Sequence, residues 1–403
     1  MKKVLFVINT MGLAGAEKSM TELLKVFDED RYELHLLALI NRGEMFNEVP
    51  QSVILHNKCP DSRSVLSMGA RLILIKTVLA ALFTKIRIFR ELPYLFLNIR
   101  EQIKDGRLQF DKLFWKIISD GTPVLQEKYD IAIAYLEGGA AYYVADHVKA
   151  DKKAAFIHID YKKAGYTPLM DHGCYDKMNR IYVVSEDAGK AFREVYPKLT
   201  DKMELFYNII NKEAIKKLAS QGAGFQDNYD GIRILTIGRL HYQKAYDITI
   251  PVIAALKKEG YKVRWYVLGD GAIKGELERM IDKYQVRNDF ILLGACLNPY
   301  PFLKQCDLYV HVTRFEGKSI AIEEAQVLGK AVVASDCTGN REQIHNGVNG
   351  IIVPLDEREI IAGIKKVLDD KTLMSSFGHA NESISFDYRK NLNQLYRFME
   401  EHK

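Results

Sequence analysis

Residues 315–325, Phe315-Glu316-Gly317-Lys318-Ser319-Ile320-Ala321-Ile322-Glu323-Glu324-Ala325, follow a β-branched run at Leu308–Val312 and open a stretch, Ser319–Leu328, whose apolar residues recur at helical spacing. The reading is a strand, a turn that carries Glu316, and a helix that carries Glu324, which together make one βα unit of a parallel sheet. At about 1.5 Å rise per residue, the two carboxylates are expected roughly 10–12 Å apart along the helix axis. Between them the amides of Lys318, Ser319 and Ile320 are expected to be unpaired at the positive end of the helix dipole, a seat for a diphosphate. Two carboxylates spaced to meet a ribose and a sugar, with an anion seat between them, suit a sugar nucleotide. A solvated amphipathic helix would carry the same glutamates, so the pair gains meaning only from its neighbours.

Outward from this unit the same alternation continues in both directions. Short apolar runs at Ile232–Ile237, Val263–Leu268, Phe290–Leu293, Leu308–Val312, Ala331–Ala334 and Ile351–Val353 are separated by helical segments, and an earlier series occupies Val4–Ile8, Leu34–Ile40, Ile131–Leu136, Ala154–Ile159 and Ile181–Val184. The pattern is α/β with two doubly wound, Rossmann-like domains, and 403 residues suit two cores better than one. The expected division is residues 1–205, residues 206–385, and a C-terminal helical segment 386–403; Ser220–Gly231 reads as a loop inside the second domain.

Composition narrows the class. Five cysteines, Cys59, Cys174, Cys296, Cys306 and Cys337, form no CxxC pair and are odd in number, which argues for a reducing cytoplasm and against a disulfide framework or zinc site. The apolar run in MKKVLFVINTMG is too short for a secretory leader and reads as a first strand. The net charge of +5 is concentrated: residues 63–100 hold seven basic residues (Arg63, Arg71, Lys76, Lys85, Arg87, Arg90, Arg100) against Glu91 alone. The longest uncharged run there, Thr77–Thr84, is too short to span a bilayer, and interleaved cations among apolar residues suit helices lying on an anionic membrane surface. A pair of helices covering the N-terminal sheet would have the same composition. The expected location is cytoplasmic, peripheral on the inner face of the plasma membrane, with no nucleic-acid partner.

The motifs around the opening stretch then carry a resemblance. Gly238-Arg239-Leu240 is followed by Lys244, then Val267-Leu268-Gly269-Asp270-Gly271, Asn298-Pro299-Tyr300, the two-glutamate stretch, and Gly347-Val348-Asn349-Gly350. In this order and spacing the chain resembles the retaining glycosyltransferases of family 4, densely from about Ile232 to Pro354 and more loosely before. The resemblance implies the GT-B fold, two domains facing across a cleft, with an acceptor-binding N-terminal domain, a donor-binding C-terminal domain, and a last helix that crosses back to the first.

From the residues alone, Arg239 and Lys244 place two cations at a strand's carboxyl end, where open α/β sheets bind ligands. Fixed cations there stabilise a departing diphosphate, a job otherwise given to a metal; no metal or other cofactor is expected. Gly269 and Gly271 are expected to let backbone approach a flat ligand, and the Asn298-Pro299-Tyr300 turn to offer backbone groups to a base edge. Gly12, Gly15 and Glu17 follow the first strand, but GLAGAE is not GxGxxG and the second strand ends at Asn41, which argues against a dehydrogenase. The resemblance implies that this turn faces the donor phosphates and the acceptor. It implies a catalytic group of His158, Glu316, Arg239 and Lys244, with His158 hydrogen-bonding the transferred sugar, and a donor set of Gly15, Gly238, Gly269, Asn298, Pro299, Gly317, Lys318, Ser319, Ile320 and Glu324. Asn208 resembles a family asparagine in a Pro-Asn-Gly turn, with Tyr207 and Ile209 as flanks here, and Ala245 stands where the family usually has glycine. The expected activity is transfer of a hexose or N-acetylhexosamine, with retention, from a nucleotide-sugar such as a UDP-sugar to a lipid-linked or polysaccharide acceptor. The alternatives are a sugar-nucleotide epimerase, a phosphorylase, or a non-catalytic sugar-nucleotide-binding protein.

Overall fold

The computed structural model describes residues 1–65, 78, 88–104 and 110–401. Of the basic segment 63–100, Arg71, Lys76, Lys85 and Arg87 lie outside the described residues, as does all of Thr77–Thr84 except Val78. The chain forms two compact units, one built from Met1–Ile209 with the C-terminal helix Tyr388–Glu400, the other from Ile210–Asp387.

In the first unit, β1 (Lys2–Ile8), β2 (Tyr32–Ala38), β3 (Ile54–Leu55), β4 (Lys128–Ala134), β5 (Lys149–Ile157), β6 (Arg180–Val183) and β7 (Met203–Leu205) form a sheet in the order β3-β2-β1-β4-β5-β6-β7. Every pairing in it is parallel. Successive residues of a strand point to opposite faces, and β1 shows the consequence: Leu5 and Val7 enter one core while Val4, Phe6 and Ile8 enter the other. Both faces are apolar because both are covered, as parallel sheets require. The helix Tyr388–Glu400 belongs to the second of these cores, burying Leu392, Leu395, Phe398 and Met399 against it. Its end is fixed by Lys2 Nζ, which donates to the Met399 carbonyl at 2.8 Å.

The second unit repeats the plan with β8 (Ile232–Ile237), β9 (Val263–Leu268), β10 (Phe290–Gly294), β11 (Leu308–His311), β12 (Ala331–Ser335) and β13 (Ile351–Val353), in the order β10-β9-β8-β11-β12-β13. Again all pairings are parallel. Strand order reverses direction between β8 and β11 here and between β1 and β4 in the first unit. At such switch points the loops leaving the two strands part to opposite faces and open a crevice at the carboxyl edge. Both units are Rossmann-like, and the architecture is GT-B. Among the described residues no helix is long and apolar enough to cross a membrane.

Candidate active site

The loops leaving β8 and β11 meet at the second unit's switch point. Arg314 straps them: its guanidinium holds Asp247 at 2.9 and 2.6 Å, donates to the Tyr242 carbonyl at 2.6 Å, and lies over the Tyr242 ring. Gln243 Nε2 donates to the Phe315 carbonyl at 2.8 Å, and Thr313 Oγ1 to the Gln243 carbonyl at 3.0 Å. Ala245 holds the left-handed conformation that glycine would adopt more easily (φ 49°) and starts the helix Tyr246–Lys258.

This bracing brings Lys244 onto Glu316 in a direct ion pair, with both side chains largely buried. Beside them His311, buried at the end of β11, sets Nε2 3.4 Å from both Lys244 Nζ and Glu316 Oε2 and Nδ1 3.1 Å from the Tyr309 hydroxyl. Burial alone would raise the Glu316 carboxyl; the Lys244 charge and His311 hydrogen bond outweigh it and bring it down to about 2. Burial first, then the Lys244 charge, pushes the His311 ring below its ordinary value, so it is neutral near pH 7. A neutral ring that donates from Nε2 to Glu316 leaves Nδ1 to accept from Tyr309. His311 is the site residue that sequence reading missed; it ended a predicted strand, and nothing in its spacing pointed at Glu316. Arg239 is exposed beyond the end of β8 and has no ion-pair or hydrogen-bond partner among the described residues. The pair beside it is internally neutral, so Arg239 supplies the local positive charge.

The rest of the donor set is placed differently from expectation. The Ser319 amide is not unpaired: it donates to Gln343 Oε1 at 2.8 Å, while Gln343 Nε2 donates back to the Ser319 carbonyl at 2.8 Å. A side-chain amide therefore clamps the entry to the helix Ile320–Val327, and the expected three-amide seat is reduced. Lys318 is paired too, with the buried Glu323 at 2.9 Å. Burial raises the Glu323 carboxyl against that charge, and its Oε2 has no partner among the described residues. Glu324, buried on the same helix, accepts from the Tyr300 hydroxyl at 3.0 Å. That joins it to the turn of Asn298 and Pro299, although Asn298 itself turns away: Nδ2 donates to the carbonyls of Leu218 and Gln221, both at 3.0 Å, at the end of the helix Lys212–Leu218. Gly269 and Gly271 are needed by the protein's own backbone. A Cβ on Gly269 would lie 2.0 Å from the Gly238 oxygen, and one on Gly271 2.2 Å from that of Leu240. The glycines let the loop leaving β9 lie against the one leaving β8. Gly317 lies in the turn that follows Glu316.

In the first unit, residues leaving β1, β4 and β5 collect at the corresponding edge. Asn9 bridges the switch point, donating to the Glu137 carbonyl at 3.1 Å and accepting from the Ala140 amide at 2.8 Å. The His158 amide donates to Glu137 Oε2 at 3.1 Å. Burial pushes the His158 ring down to about 4 despite a hydrogen bond with the Tyr135 backbone, and its Nε2 is buried with no partner among the described residues. Gly12 and Gly15 flank the start of the helix Gly15–Lys25, whose buried Glu17 accepts from Thr10 Oγ1 at 3.1 Å. Asn208 is buried and accepts from Ser19 Oγ at 3.0 Å, a hydroxyl also 3.0 Å from that of Tyr135. Among the described residues one group has metal-ligand spacing, His35, His56 and Glu127, at the opposite edge of this sheet. Its members already bond one another and their surroundings: His35 to His56 at 3.0 Å, His35 to Glu33 at 2.8 Å, and Glu127 to Lys3.

Comparison with known proteins gives the class of this site. This chain matches, over residues 225–383, the family model described as "Glycosyl transferases group 1". Its curated relatives include the Campylobacter jejuni "N-acetylgalactosamine-N,N'-diacetylbacillosaminyl-diphospho-undecaprenol 4-alpha-N-acetylgalactosaminyltransferase", 23% identical over 94% of this chain and 93% of that one. The "Putative glycosyltransferase EpsF" of Bacillus subtilis is 22% identical over 90% of this chain and 85% of its own. Among solved structures, Anabaena HepE with UDP and glucose superposes with a TM-score of 0.69, covering 100% of both chains at 18% identity. TarM superposes with a TM-score of 0.68 at 13% identity, covering 100% of this chain and 99% of its own. At those identities the likeness is one of fold.

Proposed function

We propose that this glycosyltransferase is a retaining family 4 enzyme that moves a hexose or N-acetylhexosamine from a UDP-sugar to a hydroxyl of a lipid-linked or polysaccharide acceptor, without a metal ion. The observation that carries this reading is the Lys244–Glu316–His311 group at the switch point of the second unit, with Arg239 exposed beside it. It is supported by the undecaprenol-linked acceptor named for the Campylobacter relative and by the UDP and glucose held by HepE.

In this reading the diphosphate meets Arg239 and the free N–H bonds of the Lys244 ammonium, and Glu324 receives the ribose hydroxyls. Glu316, held ionised, accepts from hydroxyls of the transferred sugar. His158, neutral and with an unpartnered ring nitrogen, bonds the sugar near its anomeric carbon. The bond from that carbon to the diphosphate oxygen breaks, the acceptor oxygen bonds to the same face, and the acceptor proton passes to a phosphate oxygen. Fixed cations take the developing charge, a term of the oxyanion-stabilising kind.

UDP release from UDP-glucose, UDP-N-acetylglucosamine and UDP-N-acetylgalactosamine, with and without an undecaprenyl-diphosphate-linked sugar, tests it. Expected are acceptor-dependent UDP release, an α-anomeric product by NMR, and full activity in EDTA. A β-linked product, or loss in EDTA restored by Mg²⁺, would overturn retention or metal independence respectively. Interconversion of UDP-sugars without acceptor would indicate an epimerase instead, and binding without turnover a carrier.

A further inference from the structure

His35 lies in the middle of β2, on the face that carries Leu37 into the core, and is in register with the core residue Leu5 of β1. It is buried, and an imidazole among leucines costs stability unless its ring nitrogens are bonded. Nε2 donates to Glu33 Oε1 at 2.8 Å, and Nδ1 lies 3.0 Å from Nε2 of His56, the residue that follows β3. A carboxylate only accepts, so Glu33 fixes the His35 proton on Nε2 and leaves the Nδ1 lone pair turned to His56. The third group at this gap is Glu127, the residue before β4. Lys3 holds its Oε1, while its Oε2 stands 4.0 Å from His35 Nδ1 and accepts from the buried Tyr129 hydroxyl at 3.3 Å. That hydroxyl is also 3.0 Å from His56 Nε2.

Ligand atoms from three separate chain segments therefore lie within 4.8 Å of one another, and the bonds to Glu33, Lys3 and Tyr129 aim them at one point. Two imidazole nitrogens bound to one ion at about 2.0–2.1 Å stand roughly 3.0–3.4 Å apart. His35 and His56 already have that separation, and Glu127 Oε2 joins them by a shift of about 1 Å. The two carboxylates of Glu33 and Glu127 outnumber the Lys3 ammonium that pairs with both, which leaves negative charge for a cation. Imidazole nitrogen with carboxylate oxygen suits zinc and its transition-metal neighbours, whereas Mg²⁺ and Ca²⁺ take oxygen shells. A carboxylate behind a ligating histidine, as Glu33 stands behind His35, is the outer support such ligands have. We infer that His35 Nδ1, His56 Nε2 and Glu127 Oε2 form a zinc-type metal site that pins the two-residue strand β3 to β2 and to the start of β4. The cluster lies at the edge of the sheet opposite the candidate active site, so the ion fastens strands and takes no part in sugar transfer. The inference is independent of the reaction proposed above.

The experiment titrates the untagged full chain, stripped with EDTA and desalted, with Zn²⁺ against a chromophoric chelator, and records thermal melts with and without the ion. Expected are one tightly held zinc per chain and a melting midpoint raised by about 5–10 °C at about a hundredfold excess of free Zn²⁺ over the dissociation constant. Mg²⁺ and Ca²⁺ should give no shift. His56→Gln, at a half-buried position, should lose both the one-to-one binding and the thermal shift. Glu33→Gln keeps every ligand and should weaken zinc about 10–100-fold, so it tests the site even if His56→Gln misfolds. Wild type that binds no zinc would overturn the inference. So would His56→Gln and Glu33→Gln variants that both hold zinc as tightly as wild type, since the ion would then belong to other histidines of the chain.

Discussion

Lys244 and Glu316 depend on one another more than two neighbouring charges at a surface would. Breaking a buried pair by removing one member leaves the other uncompensated, at a cost of about 3–5 kcal/mol. Glu316 lies below its ordinary value, so the stability of its ionised form is present above about pH 4.5 and is lost only as pH falls toward about 2. With Lys244→Met the burial that already opposes ionisation is left to dominate, and the Glu316 carboxyl should rise. We expect the acid limb of the kcat/KM profile to move to higher pH in Lys244→Met and to stay in place in Lys244→Arg; an unmoved limb in both would remove Glu316 from the chemistry. Glu324 makes a different prediction, because its proposed partner is the nucleotide. A charge-assisted bond is worth about 1.5–3 kcal/mol, so Glu324→Ala should weaken UDP binding by about tenfold to a hundredfold by calorimetry. Glu316→Ala should leave UDP affinity within a small factor and lower turnover. The places of both glutamates, Glu316 in the turn and Glu324 in the helix, were legible in the sequence through the strand-turn-helix pattern, but their partners were not. Lys244 lies 72 residues from Glu316 and Gln343 24 from Ser319, and loops between strands carry no periodicity from which such contacts could be read.

At the level of elements, the strands that announced themselves did so because both faces are buried, which turns alternation into continuous apolar runs such as Val4–Ile8 and Val263–Leu268. Of the two strands that gave no sequence signal, β3 has two residues and β7, Met203-Glu204-Leu205, breaks its apolar run with a glutamate where the equally short Ile351–Val353 is continuous. The entry to the helix Ile320–Val327 was misread for a related reason. Free amides are the default at a helix start, and only a distant side chain, Gln343, closes this one. Gln343→Ala deletes two 2.8 Å hydrogen bonds and leaves the buried Ser319 amide unmatched, while the Ser319 carbonyl still accepts from the Glu323 amide at 3.3 Å. The expected cost is about 1–3 kcal/mol, confined to the second unit. Urea unfolding followed through Trp265, in a Trp115→Phe background, reports that unit alone, since each unit contains one of the chain's two tryptophans. An unchanged midpoint would mean the clamp is incidental.

Over the whole molecule, two buried groups in the first unit give stability opposite slopes with pH. Asp171 is fully buried among tyrosines, accepting from Tyr142 at 2.8 Å, Tyr161 at 2.6 Å and Tyr196. Burial outweighs those hydrogen bonds and raises its carboxyl to about 6. The native state therefore keeps a proton that the unfolded chain releases, and the resulting stability is full below about pH 3.8 and is lost as pH rises through about 6. His158, lowered to about 4, behaves in reverse: the unfolded chain takes up a proton first, and stability falls between about pH 6.5 and 4. Each shift spans a little over two pH units, or about 3 kcal/mol at about 1.4 kcal/mol per unit, so the two nearly cancel in the wild-type protein. Glu137, His56 and His172 also titrate in this unit, which makes the difference between variant and wild type the informative quantity. Asp171→Asn should lose ground against wild type by about 3 kcal/mol as pH falls from 7 to 4, and His158→Asn should gain a similar amount over the same interval. Urea unfolding of the first unit, read through Trp115 in a Trp265→Phe background, measures both. Parallel curves for all three proteins would mean that neither group titrates differently in the folded chain. A loss of turnover in His158→Asn at pH 7, together with a urea midpoint there equal to that of wild type, would then assign His158 to the reaction and not to the fold.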